Sequence, residues 1–149
     1  MIDRFELLTG GITQVYRCME KIKKSCMSPL GLRGAHVMCL YYLEKAARGL
    51  TLAELCEKCS GDKAGISRIM ADLEKKDLIM YQGAGEGKKY RARALLTEAG
   101  RAMSGQVRDM ILTATEQGSC GISESDRETF YRILFLIRDN LQRYCDGLE

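Results

Sequence analysis

The sequence has 149 residues, of which 46% are hydrophobic and 29% charged, and its formal net charge is +3. These values fit one globular domain with a core of its own, and they exclude a polycation. No stretch is long and apolar enough to cross a membrane, and the charged N-terminus lacks a signal-peptide core. We therefore expect a cytoplasmic protein with reduced cysteines and no membrane partner.

The first predicted element is an amphipathic helix over residues 2–24. Its apolar residues recur at intervals of three and four, which is typical of a helix that packs against another helix. They are Phe5, Leu8, Ile12, Val15, Met19 and Ile22. Pro29 ends this region, because the residue before a proline disfavours helix. A second helix is predicted over residues 32–47.

Two short helices follow, joined by a turn that contains Gly61. Thr51 and Glu54 have the spacing of a capping box, and Asp62 can cap the helix predicted from Lys63 to about Lys76. The second helix should bury one face and expose the other. The buried set is Ile66, Ile69, Met70 and Leu73, and the exposed set is Lys63, Ser67, Arg68 and Asp72. Such a pair of helices is a helix-turn-helix pattern.

A two-stranded ribbon with a basic tip comes next. Residues 78–81 form a short apolar strand, residues 82–87 are a glycine-rich tip, and residues 88–95 can return as a strand. The segment 62–93 holds eight Lys and Arg against five Asp and Glu, so it carries the whole net charge of +3. A local basic surface favours phosphate contact, although a solvated charged face has the same composition.

The chain ends in two helices. The first is predicted over residues 97–115, and a loop at 116–121 leads to a cap at Ser123 and the last helix. The apolar stripe of this last helix contains Phe130, Ile133, Leu134, Ile137, Leu141 and Tyr144. The first and last helices have more apolar surface than one small winged domain can bury, so we expect a two-fold homodimer built from them.

Residues 51–100 resemble the winged helix-turn-helix of MarR-type transcription regulators. The matching segments are 52–55 in the first helix, 62–68 opening the second, 73–79 entering the ribbon and 96–100 leaving it. The resemblance implies a mainly α fold with a small β-wing: one domain over 1–149, with a DNA-binding unit at 49–97 and dimerisation helices at 1–48 and 98–149. It also implies a short strand at Leu50 beside the wing.

Two departures from the family pattern concern DNA recognition. The family's wing usually carries Asp-x-Arg, whose Arg enters the minor groove, and here the nearest match is Glu86-Gly87-Lys88. Hydroxyl residues common in the recognition helix are replaced by Ala64 and Gly65. DNA binding is still expected, with altered sequence preference.

The recognition helix should lie in the major groove of double-stranded DNA. Arg68 is the candidate for a guanine contact, because its guanidinium matches two acceptors on that base. Ser67 and Lys63 are candidates for phosphate or short base contacts, and Lys88, Lys89 and Arg91 for phosphate or the minor groove. We expect a pseudo-palindromic operator, since two subunits present two recognition helices.

The resemblance further implies repression that a small aromatic or phenolic molecule relieves. Candidates for its pocket are Arg33, His36, Met38 and Tyr41. One alternative keeps the fold but makes the signal oxidation or a metal, acting through Cys18 or Cys26. The other is a winged-helix module that binds a protein and not DNA.

No enzyme, metal site or cofactor is predicted. The spacing Cys56-x-x-Cys59 resembles half of a zinc finger, but no second pair exists and the chain has one His. Both thiols lie on the apolar stripe of a helix, which favours core packing, because a free Cys behaves as a small hydrophobe. The sequence also lacks a Walker loop and a nucleophile elbow.

Overall fold

The computed structural model describes residues 2–83 and 91–148. Over these residues the chain is mainly helical with a two-stranded antiparallel sheet, which confirms the predicted fold class. The helices are α1 (Ile2–Met27), α2 (His36–Lys45), α3 (Leu52–Cys59), α4 (Lys63–Lys75), α5 (Glu98–Gly118) and α6 (Glu124–Asp146). The strands are β1 (Ile79–Gln82) and β2 (Arg93–Leu96).

The chain forms two compact units, Met1–Ile111 and Leu112–Glu149. The first unit contains the hydrophobic core, which the apolar faces of α2, α3, α4 and the two strands build together. Its most deeply buried side chains include Met27, Leu40, Leu55, Leu73 and Val107. Burial of such side chains contributes roughly 1.5–3 kcal/mol each, so this core fixes the orientation of α3 and α4.

Local capping determines where the central helices begin. The Thr51 N–H donates to Oε2 of Glu54 at 2.8 Å, and the Glu54 N–H donates to Oγ1 of Thr51 at 3.2 Å, so the predicted capping box forms. Asp62 Oδ1 accepts from the Gly65 N–H at 2.7 Å and caps α4. These bonds satisfy backbone donors that have no partner within the helix.

The two strands pair from Ile79 opposite Leu96 to Gln82 opposite Arg93. Leu50 forms an isolated antiparallel bridge to Ala94, which corresponds to the short strand that the resemblance implied. β2 begins at Arg93, and residues 91 and 92 form turn and bend rather than the strand predicted from residue 88.

Three helices have boundaries that differ from the prediction by more than one residue. α1 continues to Met27, directly before Ser28-Pro29, because only the residue preceding proline is biased away from helix. α2 begins at His36 rather than at residue 32, since Gly31 is left-handed and the Leu32 N–H bonds to the Met27 carbonyl. α5 extends to Gly118, beyond the predicted residue 115.

The second unit contains the end of α5 and all of α6. Ser123 caps α6 by accepting from the Asp126 N–H at 3.1 Å, as its sequence predicts. The apolar stripe of α6 is largely solvent-exposed in the single chain, with Phe130 at 57% and Tyr144 at 68% of full exposure. α1, in the first unit, likewise exposes its apolar residues, including Phe5, Ile12, Val15 and Met19.

Candidate nucleic-acid interface

Helix α4 presents a polar face on a rigid base. Ile66, Met70 and Leu73 are buried on one side, and Ile69 packs partly buried against the same core. Lys63, Ser67 and Arg68 are exposed on the other side. The three α4 residues predicted to contact DNA therefore lie together on one exposed face. The buried face of α4 packs against the core and fixes the rotation of the helix.

The turn between α3 and α4 is tightly determined. Ser60 adopts a left-handed conformation (φ 51°), and the Gly61 N–H donates to the Cys56 carbonyl at 3.1 Å. A Cβ at Gly61 would lie 2.8 Å from Cδ1 of Ile66, so a larger residue would press on the buried base of α4. The start of α4 is thus set by the last turn of α3.

Arg93 ties the base of the wing to the helix-turn-helix. Its Nη1 donates to the Gly49 carbonyl at 3.0 Å, and its guanidinium lies 3.3 Å from the Glu54 carboxylate. The Thr51 N–H and the Arg93 charge hold the pKa of Glu54 below its ordinary value. One carboxylate therefore joins the α3 cap to β2.

The remaining cationic candidates come from the segment between β1 and β2 in the sequence. Arg91 is exposed and is separated from the start of β2 by Ala92. Lys88 and Lys89 lie outside the described residues.

A buried histidine links α2 to α4, a contact that sequence reasoning did not foresee. His36 is fully buried, and its Nε2 lies 2.6 Å from Oδ2 of Asp72. The Arg33 N–H donates to Nδ1 of His36 at 2.8 Å, so Nδ1 accepts and Nε2 carries the hydrogen that it donates to Asp72. Asp72 was expected to be exposed, but it is half-buried because it receives this bond.

An open cavity of about 550 Å³ lies between the end of α1 and the start of α2. Its lining includes Glu20 and three cationic residues, Lys21, Lys24 and Arg33. Arg33 is the one predicted pocket residue that lines it. His36 is buried behind it, and the other two candidates lie farther along α2. Met38 packs partly buried against the core, and Tyr41 stacks edge-on against Tyr42.

The seven cysteines are free thiols in the structure. Cys18 is exposed on α1, and Cys26 packs partly buried against the core. Cys56 and Cys59 also pack against the core, as predicted for this pair. Within residues 2–83 and 91–148, no three His, Cys, Asp or Glu side chains are grouped so that they could hold a metal ion.

Comparison with known proteins gives one family. Residues 30–89 match the model of the MarR family. No curated protein sequence matches the chain. Among the helices that the structure describes, none has both the length and the apolar character needed to cross a membrane.

Solved structures share the fold over most of the chain. A MarR/EmrR family transcriptional regulator from Acinetobacter sp. ADP1 superposes with a TM-score of 0.80 at 22% identity, covering 96% of this chain and 99% of that one. A MarR family transcriptional regulator from Listeria monocytogenes, in complex with a 26-mer DNA, gives 0.79 at 19% identity, covering 89% and 87%. The S. aureus MepR–DNA complex gives 0.78 at 17% identity, covering 87% and 93%.

Proposed function

We propose that this chain is a DNA-binding transcriptional regulator of the MarR type that acts as a homodimer, because residues 30–89 match the MarR family model and solved MarR regulators share its fold. The exposed face of α4 carries this proposal: Lys63, Ser67 and Arg68 face solvent while Ile66, Met70 and Leu73 anchor the helix. A rigid helix with a cationic polar face fits the major groove, where guanidinium and hydroxyl groups can read base edges.

The proposed division of labour gives residues 49–97 to DNA and residues 1–48 and 98–149 mainly to dimerisation. The exposed apolar stripes of α1 and α6 support it, because leaving so many Leu, Ile and Phe side chains in water is unfavourable. Two copies related by a two-fold axis would present two α4 helices about 34 Å apart to successive major grooves of a pseudo-palindrome.

The proposed mode is repression, relieved by a small aromatic or phenolic ligand. The cavity at Lys21, Lys24 and Arg33 supports such a ligand, and its cationic lining favours one with a negative charge. The Arg33 backbone N–H donates to His36, and His36 donates to Asp72 of the proposed recognition helix. A ligand that repositions Arg33 would therefore bias the orientation of α4, provided it binds one conformation better than the other.

The first test is recovery of bound fragments from genomic DNA, followed by affinity measurements over a range of salt. Phosphate contact makes affinity fall steeply as salt rises. A module that binds only proteins would retain no DNA at low salt, and that result would refute the proposal.

Single substitutions then test the assigned residues. Arg68→Ala should lower affinity for a recovered fragment by about 5–150-fold and relax its sequence preference. Lys63→Ala and Lys88→Ala should each weaken binding to all sequences and reduce the salt slope by about one. Arg17→Ala, which removes another exposed Arg, from α1, is the control and should bind like the wild type. Unchanged affinity in Arg68→Ala would refute the role assigned to α4.

A further inference from the structure

Two cysteines from different helices lie in direct contact, one of them at the end of the first helix of the helix-turn-helix. Cys39 of α2 and Cys59 of α3 are 20 residues apart in sequence, and their Sγ atoms are 3.9 Å apart. Cys39 is 1% exposed, whereas Cys59 is partly exposed at the last position of α3. The two thiols therefore differ in access to solvent but touch each other.

This contact makes the two thiols chemically unequal. The hydrogen bond from Cys39 holds the pKa of Cys59 below its ordinary value. The same contact and burial raise the pKa of Cys39. Because the thiolate is the reactive form of cysteine, Cys59 is the thiol that an oxidant from solvent would meet first. Cys39 is then positioned as the resolving thiol.

We propose that Cys39 and Cys59 form a redox-sensitive dithiol, which a peroxide converts to an intramolecular disulfide that weakens DNA binding. The Cys59 thiolate attacks one oxygen of hydrogen peroxide, the O–O bond breaks, and with one proton taken up the products are a sulfenic acid and water. The Cys39 sulfur then attacks the Cys59 sulfur, and its proton leaves with the hydroxyl as a second water. The two thiols lose two electrons and the peroxide gains them.

Disulfide formation requires movement at the turn that leads into α4. The sulfur atoms must approach from 3.9 Å to about 2 Å. Cys59 is followed directly by the left-handed Ser60, and Asp62, three residues beyond Cys59, caps α4. Cys39 is buried in the core, so the end of α3 is the segment that can move. Closing the bond would draw that end toward α2 and shift the start of the recognition helix.

This effect on DNA rests on the function proposed above, but formation of the disulfide does not. The first experiment therefore maps the bond without DNA. The reduced wild-type protein is treated with hydrogen peroxide, blocked with iodoacetamide and digested with trypsin. Cleavage after Lys58 separates Cys56 from Cys59, so the peptides 34–45, 49–58 and 59–63 each contain one cysteine. The expected product is peptide 34–45 linked to 59–63, about 2 Da lighter than the two reduced peptides and separated by dithiothreitol.

The second experiment measures affinity for a 26-mer duplex of random sequence, the DNA length in the Listeria monocytogenes complex, at low salt. Oxidation should weaken binding of the wild type by about 5–150-fold, the usual range for coupled sites, and dithiothreitol should restore it. Cys59→Ser should bind DNA like the reduced wild type and lose the response. Cys56→Ser, one turn earlier on the same helix, is the matched control and should keep it.

Three results would overturn the proposal. They are the absence of the 34–45 to 59–63 link after oxidation, a full response in Cys59→Ser, and formation of the link with unchanged affinity for DNA. A reduced protein that binds no DNA would refute the proposed regulator function, and would overturn the regulatory part of this proposal with it. In that case the peptide map would still show whether the Cys39–Cys59 disulfide forms. Because the map uses the wild type, no folding defect of a variant can obscure its result.

Discussion

The buried imidazole of His36 donates from Nε2 to the Asp72 carboxylate across 2.6 Å, and this bond joins α2 to α4. His36 has no exposed surface, so water cannot replace Asp72 as its partner. The second ring nitrogen is occupied by the Arg33 backbone N–H. Both polar atoms of a buried ring are thus satisfied, and one of them sets the position of α4.

Removal of this carboxylate should destabilise the protein. Asp72→Ala leaves the Nε2–H of His36 buried without an acceptor, which should lower the free energy of unfolding by about 1–3 kcal/mol. Urea unfolding followed by circular dichroism measures it. Lys75→Ala, on the exposed surface of the same helix, is the control and should change stability by less than about 0.5 kcal/mol. Equal stability of the two variants would show that the His36–Asp72 bond contributes nothing.

The cap of α3 should make part of the stability pH-dependent. The pKa of Glu54 is lowered in the folded state from its ordinary value of 4.5. Its ionised carboxylate therefore stabilises the fold above that value, and the contribution is lost as the pH falls through the lowered folded-state pKa. The urea midpoint of Glu54→Gln should be below that of the wild type near neutral pH. The difference should shrink on acidification below 4.5, and a difference that widens there would contradict the assigned sign.

Gly100 should tolerate no side chain. A Cβ at this position would lie 1.9 Å from the backbone carbonyl oxygen of Leu78, so α5 or β1 would have to move. Gly100→Ala should therefore cost about 1–3 kcal/mol or more. Gly105→Ala on the same helix is the matched control, because the nearest atom is the flexible Arg108 Nη2 at 3.9 Å. It should be neutral or stabilising by up to about 1 kcal/mol. Thermal unfolding of both variants distinguishes local crowding from a general effect of alanine.

The proposed homodimer should depend on the apolar stripe of α6. Ile133→Glu would place an unpaired carboxylate in the proposed interface, which costs several kcal/mol, so dimer affinity should fall by more than about tenfold. Sedimentation velocity over a range of protein concentrations measures this. Arg132→Glu changes the neighbouring position, which lies off the stripe, and should remain as associated as the wild type. If Ile133→Glu and the wild type show the same association state, α6 does not form the interface.

The ligand proposed for the open cavity should depend on Arg33. The probe is salicylate, a small phenolic carboxylate, and isothermal titration calorimetry measures its affinity. Arg33→Ala should weaken binding by about 1.5–3 kcal/mol, since it removes a charged hydrogen-bond donor from the lining. Arg48→Ala, exposed just beyond the end of α2, is the control. Equal salicylate affinity in the two variants would show that the ligand does not bind in this cavity.

The secondary-structure elements of this protein and their order can be predicted from local patterns in the chain. The capping box of Thr51 and Glu54, the cap at Asp62 and the cap at Ser123 use residues three apart, so their partners can be read directly from the chain. Periodicity likewise separated the buried Ile66, Met70 and Leu73 from the exposed Lys63 and Arg68.

Tertiary structure alone decided which distant residues meet. The contacts of His36 with Asp72, Arg93 with Glu54 and Cys39 with Cys59 span 36, 39 and 20 residues. No local pattern encodes such pairs, because they depend on how the core rotates each helix. Asp72 was therefore predicted to be exposed from its position in the helix pattern, although packing gives it the buried His36 as a partner.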